Sequence, residues 1–387
     1  MRVLFITKQQ YMAKDLLADR FGRFYEIPRV LGQLRHDLHG VCLRYWPSKT
    51  GVMTSGSHDF VKWTSFPLGK DLPLGFVRHY VRLVRIARRI KPDIVVGASD
   101  CFHIIMAARL GTKLSIPYAV DLYDNFEAYR ATQIPGLRHW YRSAVSKAAA
   151  VSVVSETLLA KVETEYRPTG IVRTVTNAVA PEFFHAGDKA MARRNLGLPE
   201  SRLLVGSAGS LTRSRDIAIL CRAIERIKNI NPRVCFVLAG PTDMSMTPQA
   251  CGKMIYLGQL PHKRVGDLFR ALDVGIVCNR DDQFGRYCFP QKLFEMLACN
   301  LPVVAADVGA THNLLRESKT CLYHPTSEDS LVNAILAQFG GGCLPALPIP
   351  TWQDRGLEFG ALLEEAIPAS TKLLTSFEAD KLAAQRL

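Results

Sequence analysis

Apolar and polar positions along this chain alternate in one repeating way. Short apolar runs, of the kind buried as central strands, are separated by longer stretches. In those stretches apolar residues recur three and four apart, as on one face of a helix. The pattern predicts strands at Val3–Thr7 and Leu38–Tyr45, a short one at Trp63–Phe66, and further strands within Lys91–Ser99, from Ile116 and from Ala148. Helices are expected near Phe24–Leu34, Gly75–Ile90 and Cys101–Gly111, the last closed by its glycine, and after Ser155, an N-cap. Arg173–Thr176 closes this half, and Asn177–Asp188 breaks the pattern as a linker. The alternation then restarts, with strands at Leu203–Ala208, Val234–Ala239, Met254–Leu257 and Val274–Cys278 and helices at Asp216–Lys228 and Val265–Ala271. Gly340–Ile367 reads as a flexible Pro-rich crossing followed by an amphipathic helix, anchored by Trp352, Leu357, Phe359 and Leu362. The residues after Pro368 read as loose chain or a last surface helix. Such alternation predicts an α/β fold of parallel sheets covered by helices, here two Rossmann-like domains. Ligands of such sheets bind beyond the carboxyl ends of the strands, and with two domains the expected site is the cleft between them.

The most informative stretch is Phe289–Ala310, FPQKLFEMLACNLPVVAADVGA. Pro290 suits the first helical position, where a missing N–H costs nothing. Gln291, Lys292 and Glu295 then share one face, against Leu293, Phe294, Met296 and Leu297 on the other. Asn300 tolerates the left-handed turn that ends a helix, and Val303–Ala306 is an all-apolar strand. A cation and a carboxylate beside a helix N-terminus suit a ligand carrying both phosphate and hydroxyls. The plainer alternative is a solvated Lys–Glu pair.

Composition narrows the classes. Of 387 residues 48% are hydrophobic and 22% charged, as in a folded soluble protein. The ten cysteines form no CxxC pair or Cys/His cluster, so neither a zinc site nor a disulfide framework is indicated, and a reducing compartment is expected. No leader peptide or spanning segment is expected from the apolar run lengths. The net charge of +14 is concentrated in RHYVRLVRIARRIK, Arg78–Lys91, and LRHWYR, Leu137–Arg142. Arginines interleaved with Val, Leu, Tyr and Trp suit an anionic membrane surface. A merely basic helix exterior is the alternative, and no nucleic-acid-binding signature accompanies the charge.

Two loops carry further candidates. In GSLTRSRD, Gly209 lets backbone approach a ligand, Arg213 and Arg215 supply phosphate-pairing guanidinium groups, and Asp216 suits a helix cap. With Lys292 they form a plausible diphosphate cradle. In DLYDNFE, Asp121, Asp124 and Glu127 stand at the carboxyl end of a first-half strand, where a carboxylate orients a substrate hydroxyl or takes its proton; helix capping by Asp124 is the alternative. His103 reads as packed, His262 as the start of a helix and His36 as the entry to a strand. No Ser/His/Asp arrangement, P-loop or GxGxxG is present.

With these motifs in view, the sequence resembles glycosyltransferase family 4, the retaining, group 1 enzymes of GT-B fold, over roughly residues 1 to 366. The likeness is strongest in Phe289–Ala310, which resembles the family's donor-binding helix. Met254–Cys278, VLAGPTD, VSVVSETL and NAVAPEFF support it, and TWQDRGLEF resembles the closing helix that returns to the first domain. The resemblance implies an acceptor-binding domain over 1–180, a nucleotide-sugar domain over 181–350, and a returning helix plus tail over 351–387. It implies that Glu295 binds the ribose hydroxyls, that Lys292 binds the diphosphate, and that the loop through Gly209, Ser210, Arg213 and Arg215 covers the phosphates. Tyr287, Phe289, Pro290 and Leu293 complete the expected donor site. Arg23, Asp121 and Glu127 are the expected acceptor contacts, and Asp124, Lys292 and Arg215 the catalytic set. Where the family often carries a glutamate eight positions before Glu295 this chain has Tyr287, after the loop glycine it has Ser210, and near the family's first-domain histidine it has Tyr123. The expected reaction moves a hexose from a UDP- or GDP-sugar to a lipid-linked or polysaccharide acceptor, with no metal and no cofactor beyond that substrate, at the cytoplasmic face of the membrane. A sugar-nucleotide 2-epimerase of the same fold and a non-catalytic partner subunit are the alternatives.

Overall fold

A computed structural model describes residues 1–11, 14–46, 60–211, 217–242 and 254–368. The chain divides into two compact units, Met1–Asn177 with Trp352–Leu387, and Ala178–Thr351.

The first unit is built on β1 (Arg2–Lys8), β4 (Asp37–Arg44), β5 (Val61–Pro67), β6 (Ile94–Ala98), β7 (Tyr118–Leu122), β8 (Ala150–Val153) and β9 (Ile171–Thr174). They form one parallel sheet in the order β5-β4-β1-β6-β7-β8-β9. A small antiparallel pair, β2 (Gln10–Tyr11) and β3 (Lys14–Asp15), follows β1. The helices are α1 (Arg23–Gln33), α2 (Leu72–Ile90), α3 (Cys101–Leu114), α4 (Leu137–Ser146) and α5 (Glu156–Lys161). Val3, Leu4, Phe5 and Ile6 are wholly buried, as a strand covered on both faces requires. The Asp100 side chain caps α3 by accepting from the backbone N–H groups of Phe102 and His103, and Ser155 caps α5 at Leu158. The expectation that α3 stops at Gly111 is corrected. The helix runs on to Leu114 and ends at Ser115 in the left-handed conformation. Gly111 serves close packing instead, since a Cβ there would lie 2.8 Å from the Ile116 carbonyl oxygen.

The second unit contains α6 (Lys189–Leu196), β10 (Leu203–Ala208), α7 (Ile217–Ile230), β11 (Val234–Ala239), β12 (Ile255–Tyr256), α8 (His262–Ala271), β13 (Val274–Val277), α9 (Gln291–Ala298), β14 (Val303–Ala306), α10 (Ala310–Leu315), β15 (Leu322–Tyr323) and α11 (Glu328–Gln338). Its sheet is also parallel, in the order β12-β11-β10-β13-β14-β15. Successive residues of β14 enter opposite cores. Val303 and Ala305 pack with Leu268, Leu293 and Met296, while Val304 and Ala306 pack with Ile224, Ile276 and Ile335. That alternation is why the strand is apolar throughout. The last described helix, α12 (Trp352–Ala366), belongs to the first unit, and the stretch after Pro368, expected as loose chain or a surface helix, lies outside the described residues. It lies on α1, with Gly356 and Gly360 making room for Val30 and Leu31. Among the described cysteines Cys221 on α7 is disulfide-bonded and the eight others are free thiols.

Each sheet has one switch point. The chain steps from β1 outward to β4 and β5 and then crosses to β6, on the other side of β1; in the second unit it makes the same move from β10 through β11 and β12 to β13. The connections leaving two such neighbouring strands turn to opposite faces, which opens a crevice at their carboxyl ends.

Candidate functional site

In the second unit the crevice is shaped by two glycines. Gly209 follows β10 at φ +110° and its N–H donates to the Ala239 carbonyl at 2.8 Å. Gly240, after β11, stands at φ +133°, and any side chain on it would strike the Gly209 carbonyl. The two strand ends therefore run backbone against backbone. Beside them lies the end of the Lys292 side chain, since a Cβ on Gly209 would sit 2.6 Å from Lys292 Nζ. The sequence pattern puts Lys292 and the glycine loop in one site, and the fold brings them together.

Lys292 stands in the first turn of α9, whose N-cap is Pro290. One turn on, Glu295 is only 7% exposed, so the plain solvated pair is not what forms. Gln291 Nε2 donates to Glu295 Oε1 at 3.2 Å and to the Ala178 carbonyl at 2.7 Å. His262 Nε2 approaches the same carboxylate oxygen at 3.9 Å, its ring held edge-on by Phe183 and Phe184. His262 opens α8 as expected, but its place beside Glu295 was not foreseen, because the two are far apart in sequence. Leu293 faces the core, and Phe289 stacks on Phe294 with ring centres 5.0 Å apart. The segment before α9 is organised by Asp282, whose Oδ1 accepts from the N–H groups of Phe284 and Gly285. Tyr287 sits half-buried there and donates its N–H to the Phe284 carbonyl. Gly309, at φ +55°, packs against the Arg286 carbonyl, which ties this segment to the loop after β14. Ser210 is described; Arg213, Arg215 and Asp216 lie outside the described residues.

In the first unit the structure revises the expected acceptor contacts. Asp121, in β7, and Arg23, in α1, are almost wholly buried and face each other. Arg23 Nε donates to Asp121 Oδ2 at 2.8 Å and Nη2 to Oδ1 at 2.7 Å, while Nη1 donates to the carbonyls of Val175 and Thr176. Ser152 Oγ closes on the same carboxylate. This pair staples α1 to the strands and presents nothing to a ligand. Glu127 is likewise engaged, by Arg142 at 2.5 and 2.8 Å and by Lys161 at 3.7 Å. Burial would raise its carboxyl, but the Arg142 hydrogen bond and charge prevail and hold it below the ordinary value.

Asp124 is different. It is buried at the rim of the strand ends, accepting from the Asn125 N–H at 2.9 Å and from Tyr129 Oη at 2.7 Å. Near it are Tyr123, packed edge-on to Tyr11 and Phe24, and Lys8, the last residue of β1. His103 is buried, as read, with Nδ1 2.8 Å from Asp100. Among the described residues no group of three or more His, Cys, Asp or Glu side chains is placed to ligate a metal, and no helix is long and apolar enough to cross a membrane.

Family comparison matches residues 23–178 to a glycosyl transferase 4-like domain and residues 202–339 to glycosyl transferases group 1. A Bacillus subtilis glycosyltransferase named for teichuronic acid biosynthesis, TuaC, is 27% identical over 235 residues, 59% of this chain and 57% of its own. A D-inositol 3-phosphate glycosyltransferase of Stackebrandtia nassauensis is 32% identical over 147 residues, 34% of this chain and 32% of its own. The chain thus matches 57% and 32% of the length of these two relatives. Among solved structures, sucrose-phosphate synthase of Thermosynechococcus elongatus superposes with a TM-score of 0.69 at 15% identity, covering 99% of both chains. HepE of Anabaena, solved with UDP, superposes at 0.66 and 16% identity, covering 99% of this chain and 100% of that one. These likenesses show a shared GT-B fold.

Proposed function

Since this chain belongs to the group 1 glycosyltransferases, we propose that it moves a hexosyl group from a UDP- or GDP-sugar to a lipid-linked or polysaccharide acceptor, with retention. The observation that carries the reading is the Lys292 ammonium against the Gly209 backbone at the second unit's switch point, with Glu295 one helical turn away. A diphosphate laid over Gly209 meets Lys292 and the N-terminus of α9, and the nucleoside's ribose hydroxyls reach Glu295, which Gln291 orients. That HepE was solved with UDP and with UDP-glucose supports a uridine donor. As the bond from the anomeric carbon to the diphosphate oxygen breaks, charge builds on that oxygen. One preorganised donor aimed at such an oxygen is typically worth about 3 to 4 kcal/mol of barrier, and Lys292 is placed to supply it. The acceptor hydroxyl attacks the anomeric carbon from the same face and gives its proton to the departing diphosphate oxygen, whose charge Arg215 would help to hold as a second cation.

The peripheral membrane setting is part of the same reading. On α2, Leu74, Val77 and Val81 are 58%, 60% and 43% exposed among Arg78, Arg85, Arg88 and Arg89. On α4, Trp140 is half exposed beneath the Arg109 guanidinium of α3, 5.2 Å from its ring centre. Apolar side chains flanked by guanidinium groups suit the headgroup region of anionic lipid.

Calorimetry with UDP, GDP and their sugars tests the donor site. Lys292→Ala and Glu295→Ala are each expected to lose donor binding, and unchanged affinity in both would remove the site. Slow nucleoside diphosphate release with a donor panel and membrane extract tests the transferase. No release with any donor, despite binding, would favour the non-catalytic subunit.

A further inference from the structure

The second unit carries two thiols in contact beside its edge strand β15, where the donor reading assigns nothing. We propose that Cys321 and Cys343 form a thiol–disulfide exchange site, which a small disulfide of the glutathione class oxidises to an internal disulfide, stapling the segment that leaves this unit to the edge of its sheet. The inference goes beyond the transferase reading and does not depend on it.

The two sulfurs come together from opposite ends of α11. Cys321 ends the single turn Lys319–Cys321 that leads into β15, the last strand of the sheet. Cys343 follows three glycines, 340 to 342, beyond the end of α11. Gln338, the last residue of α11, is 5% exposed and holds both sides. Its Nε2 donates to the Thr320 carbonyl at 3.0 Å, and its Oε1 accepts from the Cys343 N–H at 3.0 Å. One side-chain amide thus fixes the backbone beside each cysteine. Gly341, at φ +124°, lets the chain double back in a conformation that suits glycine. Across this clamp the Cys321 sulfur lies 3.7 Å from the Cys343 carbonyl oxygen and is hydrogen-bonded to the Cys343 thiol.

Exposure gives the two sulfurs different roles. Cys321 is wholly buried, and Cys343 is half-buried against the same core. Burial, then the neighbouring Cys343 sulfur, push the Cys321 thiol up. Such a thiol is a slow first attacker, so the exchange begins at the sulfur that solvent reaches. The Cys343 thiolate attacks one sulfur of the small disulfide and forms a mixed disulfide. The departing thiolate takes up the proton that Cys343 released. Cys321 then attacks Cys343 Sγ and gives its proton to the second departing thiolate. The Cys321–Cys343 bond forms as the mixed one breaks. Two protein thiols lose two electrons, and one small disulfide is reduced to two thiols. Because Gln338 already holds the partners together, the second step is intramolecular.

No Lys or Arg lies between Lys319 and Arg355, so trypsin leaves both cysteines in one peptide, 320 to 355. The test is incubation of the folded full chain with glutathione disulfide, a denaturing quench with N-ethylmaleimide, and mass spectrometry of that peptide. The expected product has lost two hydrogens and takes up no maleimide; after excess reduced glutathione it takes up two. A peptide that stops with one glutathione on Cys343 overturns the proposal, as does one that still takes up two maleimides after oxidation. A disulfide that forms only when the chain is unfolded beforehand overturns it too, because the folded geometry then plays no part. Closing the loop over α11 is expected to raise the melting temperature by about 5 °C or more, and Cys343→Ser, treated alike, to show no rise. An oxidised peptide without that rise would refute the staple.

Discussion

Replacing Gly209 with alanine separates backbone geometry from charge at the proposed donor site. At φ +110° any side chain is strained, at a cost of about 1 to 3 kcal/mol of stability. The new methyl would also lie 2.6 Å from Lys292 Nζ, so the ammonium must move by about 1 Å to reach ordinary contact. Displacing it from about 4 to about 5 Å from a phosphate charge, at an effective dielectric of about 20, costs roughly 0.8 kcal/mol. For the two charges of a diphosphate that is about 1.6 kcal/mol, or roughly fifteenfold in Kd. Calorimetric titration with UDP and GDP reads the affinity, and urea unfolding reads the strain. In a Lys292→Ala background the stability cost should persist while the affinity effect disappears, because no cation is left to displace. An affinity loss of the same size in both backgrounds would refute the reasoning.

Other outcomes depend on other parts of the molecule. Asp121→Asn strands the buried Arg23 guanidinium and should cost about 3 to 5 kcal/mol in urea unfolding; a loss below about 1 kcal/mol would show the pair to be dispensable. Burial, then the charges of His103 and Arg82, lower the His79 imidazole from 6.5 to about 3, and among the described residues neither ring nitrogen has a hydrogen-bond partner. The unfolded chain takes up a proton near pH 6.5 that the folded chain refuses, so stability should fall below that pH by up to about 1.4 kcal/mol per unit and level off near 3. His79→Phe should flatten that slope, and an unaltered slope would place its origin elsewhere. Val77→Asp with Val81→Asp should abolish flotation with anionic vesicles, and equal flotation of both proteins would discard the α2 surface.

How far the sequence carries depends on the range of the interactions involved. Phe289–Ala310 is legible because its signals are local. The helix, the left-handed Asn300 at φ +55° and the strand Val303–Ala306 each arise from neighbours within a few positions. Asp121 reads as a ligand contact because a carboxylate at a strand end resembles one; the guanidinium that occupies it is 98 residues away, and no local pattern announces it. The place of His262 beside Glu295 escapes notice for the same reason, since locally it reads only as a histidine at the start of a helix. The helix α6 is not legible at all, although Asp188 accepts from the Met191 N–H as its cap, because so short a segment has little periodicity of its own.

One small contact brings the two ends of the second unit together. Val179 and Thr351 form a parallel bridge, with the Val179 N–H donating to the Pro350 carbonyl at 2.9 Å. The polypeptide therefore enters and leaves this unit through a single doorway, and its ends need no long tether to close. Such a module lends itself to exchange as a cassette, and on the donor reading proposed above a swap should carry the nucleotide preference with it, with only two seams to repair.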